Sequence, residues 1–132
     1  MSKIQLGKQE VIHFIGIGGI GMSGLAQIMK TMGFNVQGSD ISENKNTDNC
    51  KKLGIKILIG HAKKNILKAT IVVKSSAIKK NNIESLESKR RNIPTYDRIE
   101  MLANIIDLKK NIIITGSHGK TTTTSLVAKI IS

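Results

Sequence analysis

The sequence predicts an α/β fold: a Rossmann-like, mostly parallel sheet with flanking helices. Two observations predict it. Short apolar runs alternate with helical stretches along the whole chain, and glycine-rich segments follow two of the apolar runs. Strands that alternate with helices form parallel units whose crossovers are right-handed. With 132 residues and 39% hydrophobic residues, almost all aliphatic, the chain can build one core.

The predicted elements follow in regular alternation. Strands are expected at 11–15, 34–38, 55–59, 69–73, 93–96 and 111–115, and helices at 19–32, 47–53, 83–91, 98–108 and 121–131. Gly33 is the expected C-cap of the first helix. Pro94 places the fifth strand at a sheet edge, because proline cannot donate a hydrogen bond to a neighbouring strand.

A polar break at 107–110 is the predicted domain boundary. Residues 1–107 would form a Rossmann-like domain. Residues 108–132 would supply the first strand, loop and helix of a second domain, which is too little to fold alone, so the sequence looks cut off after Ser132. The apolar surface of that last segment would then fold back on the first domain or pair with another chain, which makes an oligomer possible.

Composition narrows the class of partner. The net charge is +12, but the lysine pairs are scattered, and a solvated Lys-rich surface explains them. Aromatic residues make up 2% of the chain, which argues against stacking platforms for single-stranded nucleic acid, and no DNA-recognition motif is present. We therefore expect no nucleic-acid partner.

The single cysteine, Cys50, permits neither an internal disulfide nor a cysteine-based metal site. A reducing cytoplasm suits such a chain. The sequence shows no signal peptide and no apolar run of the roughly 20 residues that span a bilayer. A soluble, cytoplasmic protein without a membrane partner is expected.

The first glycine-rich loop has the pattern Gly16-x-Gly18-x-x-Gly21 between a predicted strand and helix, as in dinucleotide-binding folds. The first glycine makes the turn, the second admits a diphosphate, and the third lets the helix pack close to the strand; Gly24 would extend that close contact. Asp40 ends the second strand 19 residues after Gly21, where an acidic residue can bind a ribose hydroxyl.

The second loop is Gly-x-x-Gly-Lys-Thr between an apolar run and a predicted helix, a P-loop with a shortened glycine spacing. The residues expected at the phosphates of ATP are Gly116, Ser117, His118, Gly119, Lys120, Thr121 and Thr122. Lys120 would neutralise phosphate charge as the catalytic residue, and the Thr121 hydroxyl could bind Mg²⁺. His118 itself is more simply a loop-filling side chain than a metal ligand.

Two phosphate loops in tandem resemble the Mur ligase family. The residues that carry the resemblance are His13–Gly24, Gly38–Asp40, Gly60, His61, Ser75–Ile78, Ile93, Pro94, Arg98, Met101, Leu102 and Thr115–Thr124. Within the family, the chain is most similar to the members that add L-alanine to UDP-N-acetylmuramate.

The resemblance implies that the first domain binds the UDP part of UDP-N-acetylmuramate and that the P-loop binds ATP with Mg²⁺. ATP would phosphorylate the muramoyl carboxylate, and the amine of L-alanine would attack the acyl phosphate. The UDP-sugar-binding residues implied are Gly16, Gly18, Gly19, Gly21, Ser39, Asp40, His61, Ser75 and Ser76. The 132-residue chain alone is expected to bind nucleotide without ligating.

Three alternatives remain open. The muropeptide-recycling ligase of the same family generally has a less glycine-rich first loop. A nicotinamide-dependent oxidoreductase or nucleotide-sensing module would explain the first loop and Asp40 but would leave the P-loop unused. The chain could also act only as a nucleotide-binding or interaction module.

Overall fold

The computed structural model describes residues 6–116, and over that range it contains a parallel sheet of five strands. The strands are β1 (Val11–Ile15), β2 (Asn35–Asp40), β3 (Lys56–Ile59), β4 (Ile71–Lys74) and β5 (Thr95–Asp97). Their order is β3-β2-β1-β4-β5, and every neighbouring pair is parallel. The predicted α/β class and parallel sheet are confirmed.

Helices lie between the strands and after the last described strand. They are α1 (Ile20–Thr31), α2 (Lys45–Lys52), α3 (Ile83–Arg90) and α4 (Arg98–Gly116), with a short 3₁₀ helix at Lys63–Ile66 between β3 and β4. Gly33 follows α1 with φ of +98°, as expected of a residue that ends a helix in the left-handed region. The first five predicted strands and first four predicted helices are therefore present. Their ends shift by a few residues, except that α4, predicted to end at 108, ends at Gly116.

The strand order reverses direction at β1. The chain moves outward from β1 to β2 and β3, then returns to pair β4 with the opposite edge of β1 and continues to β5. Right-handed crossovers therefore put α1 and α2 on one face of the sheet and α3 on the other. The loops that leave β1 and β4 diverge to opposite faces, and such a reversal opens a crevice at the carboxyl ends of the strands.

The two faces of the sheet differ in chemistry. Ile12 and Phe14 of β1 are fully buried on one face, in register with Val36 and Gly38 of β2. His13 lies on the other face because side chains alternate along a strand, and it is also fully buried. Its registered partner on β2 is the polar residue Gln37, so this half of the core needs hydrogen bonds as well as packing.

One predicted strand is wrong. The stretch 111–115, expected as an apolar strand, is the continuation of α4, which runs from Arg98 to Gly116 without the polar break expected at 107–110. A short apolar run has no periodicity that separates a strand from a helix, and no glycine or proline precedes this one. The predicted P-loop from Ser117 onward and the helix expected at 121–131 lie outside the described residues.

The chain divides into two compact units, and the unit that contains the sheet ends at Arg98. The other unit includes the part of α4 that begins at Ile99. The assignment of residues 108–132 to an ATP-binding domain stays a prediction. Among the described residues, no helix combines the length and apolar character needed to cross a membrane.

Gly38 supplies a test of the packing between β2 and the first loop. A Cβ added there would lie 2.5 Å from Ile17 Cδ1 and 2.9 Å from the Phe14 carbonyl oxygen, and the backbone atom cannot move aside cheaply. We expect Gly38→Ala to lower the free energy of unfolding by about 1–3 kcal/mol, measured by urea unfolding.

Gly24→Ala is the matched control. A Cβ at Gly24, in α1, would meet no described atom within 4 Å, so the same substitution should be neutral or stabilising by about 0.5–1 kcal/mol. Equal effects at the two positions would contradict the packing argument.

Candidate functional site

A cleft of about 650 Å³ lies at the carboxyl ends of the strands, where the sheet order reverses. One wall is the glycine loop after β1, and the other is the segment that follows β4. The lining residues are Gly16, Gly18, Gly19, Asp40, Ile41, Asn44, His61, Ser75, Ala77, Ile78, Lys79, Asn81 and Asn82. Amide, hydroxyl, imidazole and carboxylate groups among them suit a polar ligand that forms many hydrogen bonds.

The glycine loop turns sharply off β1. Gly16 has φ of +85°, which fits the turn predicted for it. The N–H groups of Gly16 and Ile17 both donate to the Ser39 carbonyl oxygen, at 2.8 and 3.0 Å. The start of the loop is therefore tied to the end of β2 by hydrogen bonds within the chain.

Asp40 holds the middle of the same loop. Its Oδ2 accepts a hydrogen bond from the Gly18 N–H at 2.7 Å, and its Oδ1 accepts one from the Ile41 N–H at 2.7 Å. A Cβ on Gly18 would lie 2.7 Å from that Oδ2, so the glycine is what admits the carboxylate. The sequence predicted that a diphosphate approaches Gly18. In the structure, the Asp40 carboxylate occupies that space.

Two asparagines fix the other side of Gly18. The side-chain amides of Asn44 and Asn46 donate to the Gly18 carbonyl oxygen at 3.2 and 2.8 Å. Asn44 is also the N-cap of α2, in a reciprocal capping box with Thr47. The glycine loop is thus anchored to β2 and to the start of α2.

The N-terminus of α1 follows the loop directly. Its first helical hydrogen bond runs from the Ser23 N–H to the Gly19 carbonyl oxygen, so the N–H groups of residues 20–22 precede the bonded part of the helix. The N-cap residue forms no side-chain capping bond, and the first turn carries no acidic residue. Such an end favours an anion.

Two glycine roles predicted from the sequence are wrong. A Cβ on Gly21 would meet the Arg98 side chain, with Nε at 2.7 Å, rather than the strand. Gly21 is exposed, and a Cβ on Gly24 would meet no described atom within 4 Å. The pattern Gly-x-Gly-x-x-Gly specifies a loop, but the side chain that occupies the space beside each glycine depends on the tertiary fold.

A buried carboxylate lies beneath the cleft. Glu84, at the start of α3, is fully buried, and Asn82 caps its helix by accepting from the N–H groups of Glu84 and Ser85. Glu84 Oε1 lies 2.6 Å from His13 Nε2 and accepts a hydrogen bond from Ser39 Oγ, also at 2.6 Å. Three separate elements, β1, β2 and α3, meet at this oxygen.

The second oxygen of Glu84 faces the segment after β3. Oε2 accepts from Asn65 Nδ2 at 2.8 Å and from the Ala62 N–H at 3.0 Å, and it lies 3.3 Å from His61 Nδ1. His61 lines the cleft, so the network extends from the core to the ligand-facing surface.

The environment of Glu84 lowers its pKa from 4.5 to about 2. Burial alone raises the pKa, but the hydrogen bonds from His13, Ser39 and Asn65 outweigh it. Glu84 is therefore ionised at neutral pH despite being buried.

The cleft brings together six of the predicted UDP-sugar-binding residues: Gly16, Gly18, Gly19, Asp40, His61 and Ser75. Gly21, Ser39 and Ser76 are not among its lining residues. Ser39 is fully buried, and its hydroxyl belongs to the Glu84 network instead. Of the predicted ATP-binding residues, Gly116 ends α4, and the others lie outside the described residues.

Sequence reasoning missed Glu84, Asn44 and Asn82. Glu84 gave no signal because it lies in a helix that reads as polar and exposed. The one available signal was His13, a titratable side chain within an otherwise apolar strand, since such a residue needs a buried partner. In the described part of the chain, no group of three or more His, Cys, Asp or Glu residues could hold a metal ion.

The lowered pKa of Glu84 predicts a pH dependence. Its folded-state pKa lies below the ordinary value, so its contribution to stability is complete above about pH 4.5 and is lost as the pH falls towards 2. Relative to Glu84→Gln, the native protein should be more stable by about 1.5–3 kcal/mol at pH 7. That difference should shrink between pH 4.5 and 2 in urea unfolding. A constant difference across this range would contradict the assignment.

Comparison with known proteins agrees with the architecture. The sequence pattern of the Mur ligase family, catalytic domain, matches residues 11–110. The UDP-N-acetylmuramate–L-alanine ligase of Pelagibacter ubique (strain HTCC1062) is 68% identical over 130 residues, which cover 98% of this chain. The chain spans 28% of that relative's length.

Two solved structures share the fold. The UDP-N-acetylmuramate-alanine ligase of Thermotoga maritima superposes with a TM-score of 0.72 at 34% identity, over 76% of this chain and 23% of that one. The UDP-N-acetylmuramate:L-alanyl-gamma-D-glutamyl-meso-diaminopimelate ligase of Neisseria meningitides gives a TM-score of 0.65 at 28% identity, over 80% of this chain and 32% of that one. The match of the family pattern to most of the chain, on a fold that these structures share, shows that the chain belongs to the Mur ligase family.

Proposed function

We propose that this chain is the N-terminal, substrate-binding part of an ATP-dependent ligase that joins L-alanine to UDP-N-acetylmuramate in peptidoglycan synthesis. The observation that carries the proposal is the cleft at the strand-order reversal, with an anchored glycine loop on one wall. The substrate follows from the 68% identity to a relative named for that reaction. The structure of the recycling ligase is less similar, at 28% identity, so that alternative is not favoured.

The charges of the cleft indicate which part of UDP would lie where. The Gly18 N–H is already bonded to the Asp40 carboxylate, and that carboxylate would repel a phosphate placed against it. The diphosphate therefore belongs at Gly19 and the N-terminus of α1, near the Arg98 side chain that lies against Gly21. Asp40 and His61 are left for the hydroxyl and N–H groups of uridine.

ATP and Mg²⁺ would be held by the predicted P-loop. Lys120 would offset charge on the β- and γ-phosphates, and Thr121 would bind the metal ion. When bound, ATP would supply the phosphoryl group that activates the muramoyl carboxylate for attack by the amine of L-alanine. The reaction would take place in the cytoplasm. The chain would be able to form an oligomer through its C-terminal segment.

Nucleotide binding tests the proposal directly. Calorimetric titration of the 132-residue chain should show binding of UDP-N-acetylmuramate and little binding of NADH. Gly18→Ala should weaken the UDP-sugar at least tenfold, because its Cβ would displace Asp40 and distort the loop. Gly24→Ala, in open space on α1, is the control that should bind as the unaltered chain does. Tight NADH binding without UDP-sugar binding would overturn the proposal in favour of an oxidoreductase or sensor.

Catalysis should need more than this chain, which spans 28% of the length of its curated relative. We expect no phosphate release above background when the 132-residue chain is mixed with ATP, Mg²⁺, L-alanine and UDP-N-acetylmuramate. A robust alanine-dependent rate would show that this chain contains a complete ligase site.

A further inference from the structure

Two histidines, the fully buried His13 and the partly exposed His61, share the carboxylate of Glu84. The hydrogen bonds around them define which ring nitrogen of each carries the proton. Gln37 Nε2 lies 2.8 Å from His13 Nδ1 and 2.7 Å from the Asn65 carbonyl oxygen. A carbonyl only accepts, so the Gln37 amide nitrogen must face it, which makes His13 Nδ1 an acceptor. The proton of neutral His13 is then on Nε2, where it donates to Glu84 Oε1.

The neighbours of His61 define its protonated nitrogen in the same way. Its Nδ1 lies 3.0 Å from Ser39 Oγ and 3.3 Å from Glu84 Oε2. The Ser39 hydroxyl donates its only hydrogen to Glu84 Oε1, so Ser39 Oγ can only accept from His61. The ionised carboxylate can also only accept. Both neighbours of Nδ1 are acceptors, so in the neutral imidazole Nδ1 carries the proton and Nε2 keeps its lone pair.

We propose that Glu84 is a positioning residue of the nucleotide site, which acts by holding His61 with Nδ1–H inward and Nε2 as a hydrogen-bond acceptor for a ligand in the cleft. The inference rests on the proposed function. His61 lines the cleft, whereas Glu84 and Ser39 have no exposure. The buried pair therefore reaches the ligand through the imidazole of His61.

The chemistry recognised by an unprotonated Nε2 is a neutral donor. In uridine diphosphate, the available donors are the ribose hydroxyls and the imide N–H of the base. A phosphate oxygen, which has no proton to donate at neutral pH, would be repelled by the ring lone pair. His61 thus contributes selectivity for the nucleoside rather than affinity for the diphosphate.

Glu84→Gln tests the arrangement because it changes a carboxylate oxygen into a donor. In one amide orientation, the new NH₂ group takes the place of Oε2 and faces His61 Nδ1. In the other, it donates to Ser39 Oγ, whose hydroxyl hydrogen is then free to turn towards His61. In both cases a donor confronts Nδ1, and His61 should shift towards the tautomer that is protonated on Nε2.

Long-range ¹⁵N–¹H spectra of the 132-residue chain would report the tautomer. We expect His61 of the unaltered chain to be protonated on Nδ1. In Glu84→Gln, we expect the tautomer equilibrium of His61 to shift towards protonation on Nε2. Glu87→Gln is the matched control: it makes the same change three residues later in α3, at a nearly buried carboxylate that bonds Arg90, and it should leave His61 unchanged. An Nε2-protonated His61 in the unaltered chain would overturn the inference even if Glu84→Gln failed to fold.

Titration with UDP supplies the functional readout. Glu84→Gln should weaken the binding of UDP about tenfold, equal to about 1.4 kcal/mol of binding free energy, while Glu87→Gln should leave the affinity unchanged. Titrations with 2′-deoxy-UDP, 3′-deoxy-UDP and 3-methyl-UDP distinguish the three donors. The analogue that lacks the donor recognised by His61 should bind the unaltered chain and Glu84→Gln with the same affinity. A changed tautomer with unchanged UDP affinity would refute the role in binding. Failure of the unaltered chain to bind UDP would instead count against the proposed function, and the tautomer would still decide the arrangement.

Discussion

The rest of the structure depends on the hydrogen bonds to the fully buried carboxylate of Glu84. It accepts hydrogen bonds from β1, from β2 and from the segment after β3, while its own backbone belongs to α3. An ionised carboxylate without these partners would be costly in the interior, and removing one partner of a buried pair typically costs 3–5 kcal/mol. The carboxylate therefore requires β1, β2, the segment after β3 and α3 to be correctly placed at the same time.

This requirement connects the core to the cleft. Glu84 lies in the first turn of α3 and points inward. Asn82, two residues earlier, caps the helix and lines the cleft. His61 reaches the same cleft from the other side of the network. Part of the cleft wall is thus positioned by a polar core whose bonds are all made internally, since no described buried side-chain polar atom lacks a partner.

The opposite wall is held in an equally explicit way. Asp40 binds the N–H of Gly18 and the two asparagines near the start of α2 bind its carbonyl oxygen, so contacts within the chain fix the shape of the loop. A preformed loop reduces the ordering that a ligand must impose, which favours affinity. The same carboxylate makes the cleft electrostatically uneven, with a negative group at Gly18 and the positive end of α1 two residues further along the chain.

The sequence by itself determined the alternation of strands and helices, the edge position of β5 and the loop after β1, because hydrophobic period, Pro94 and Gly16 each act locally. It could not separate helix from strand at 111–115, where a short apolar run fits both. Only the tertiary structure decided the partners of Glu84 and Ser39 and the occupant of the space beside Gly18. Those depend on contacts between residues far apart in the chain, such as the 71 positions between His13 and Glu84. From sequence alone, a glutamate is predicted to lie on the surface. Only the tertiary structure shows the donors that allow Glu84 to be buried.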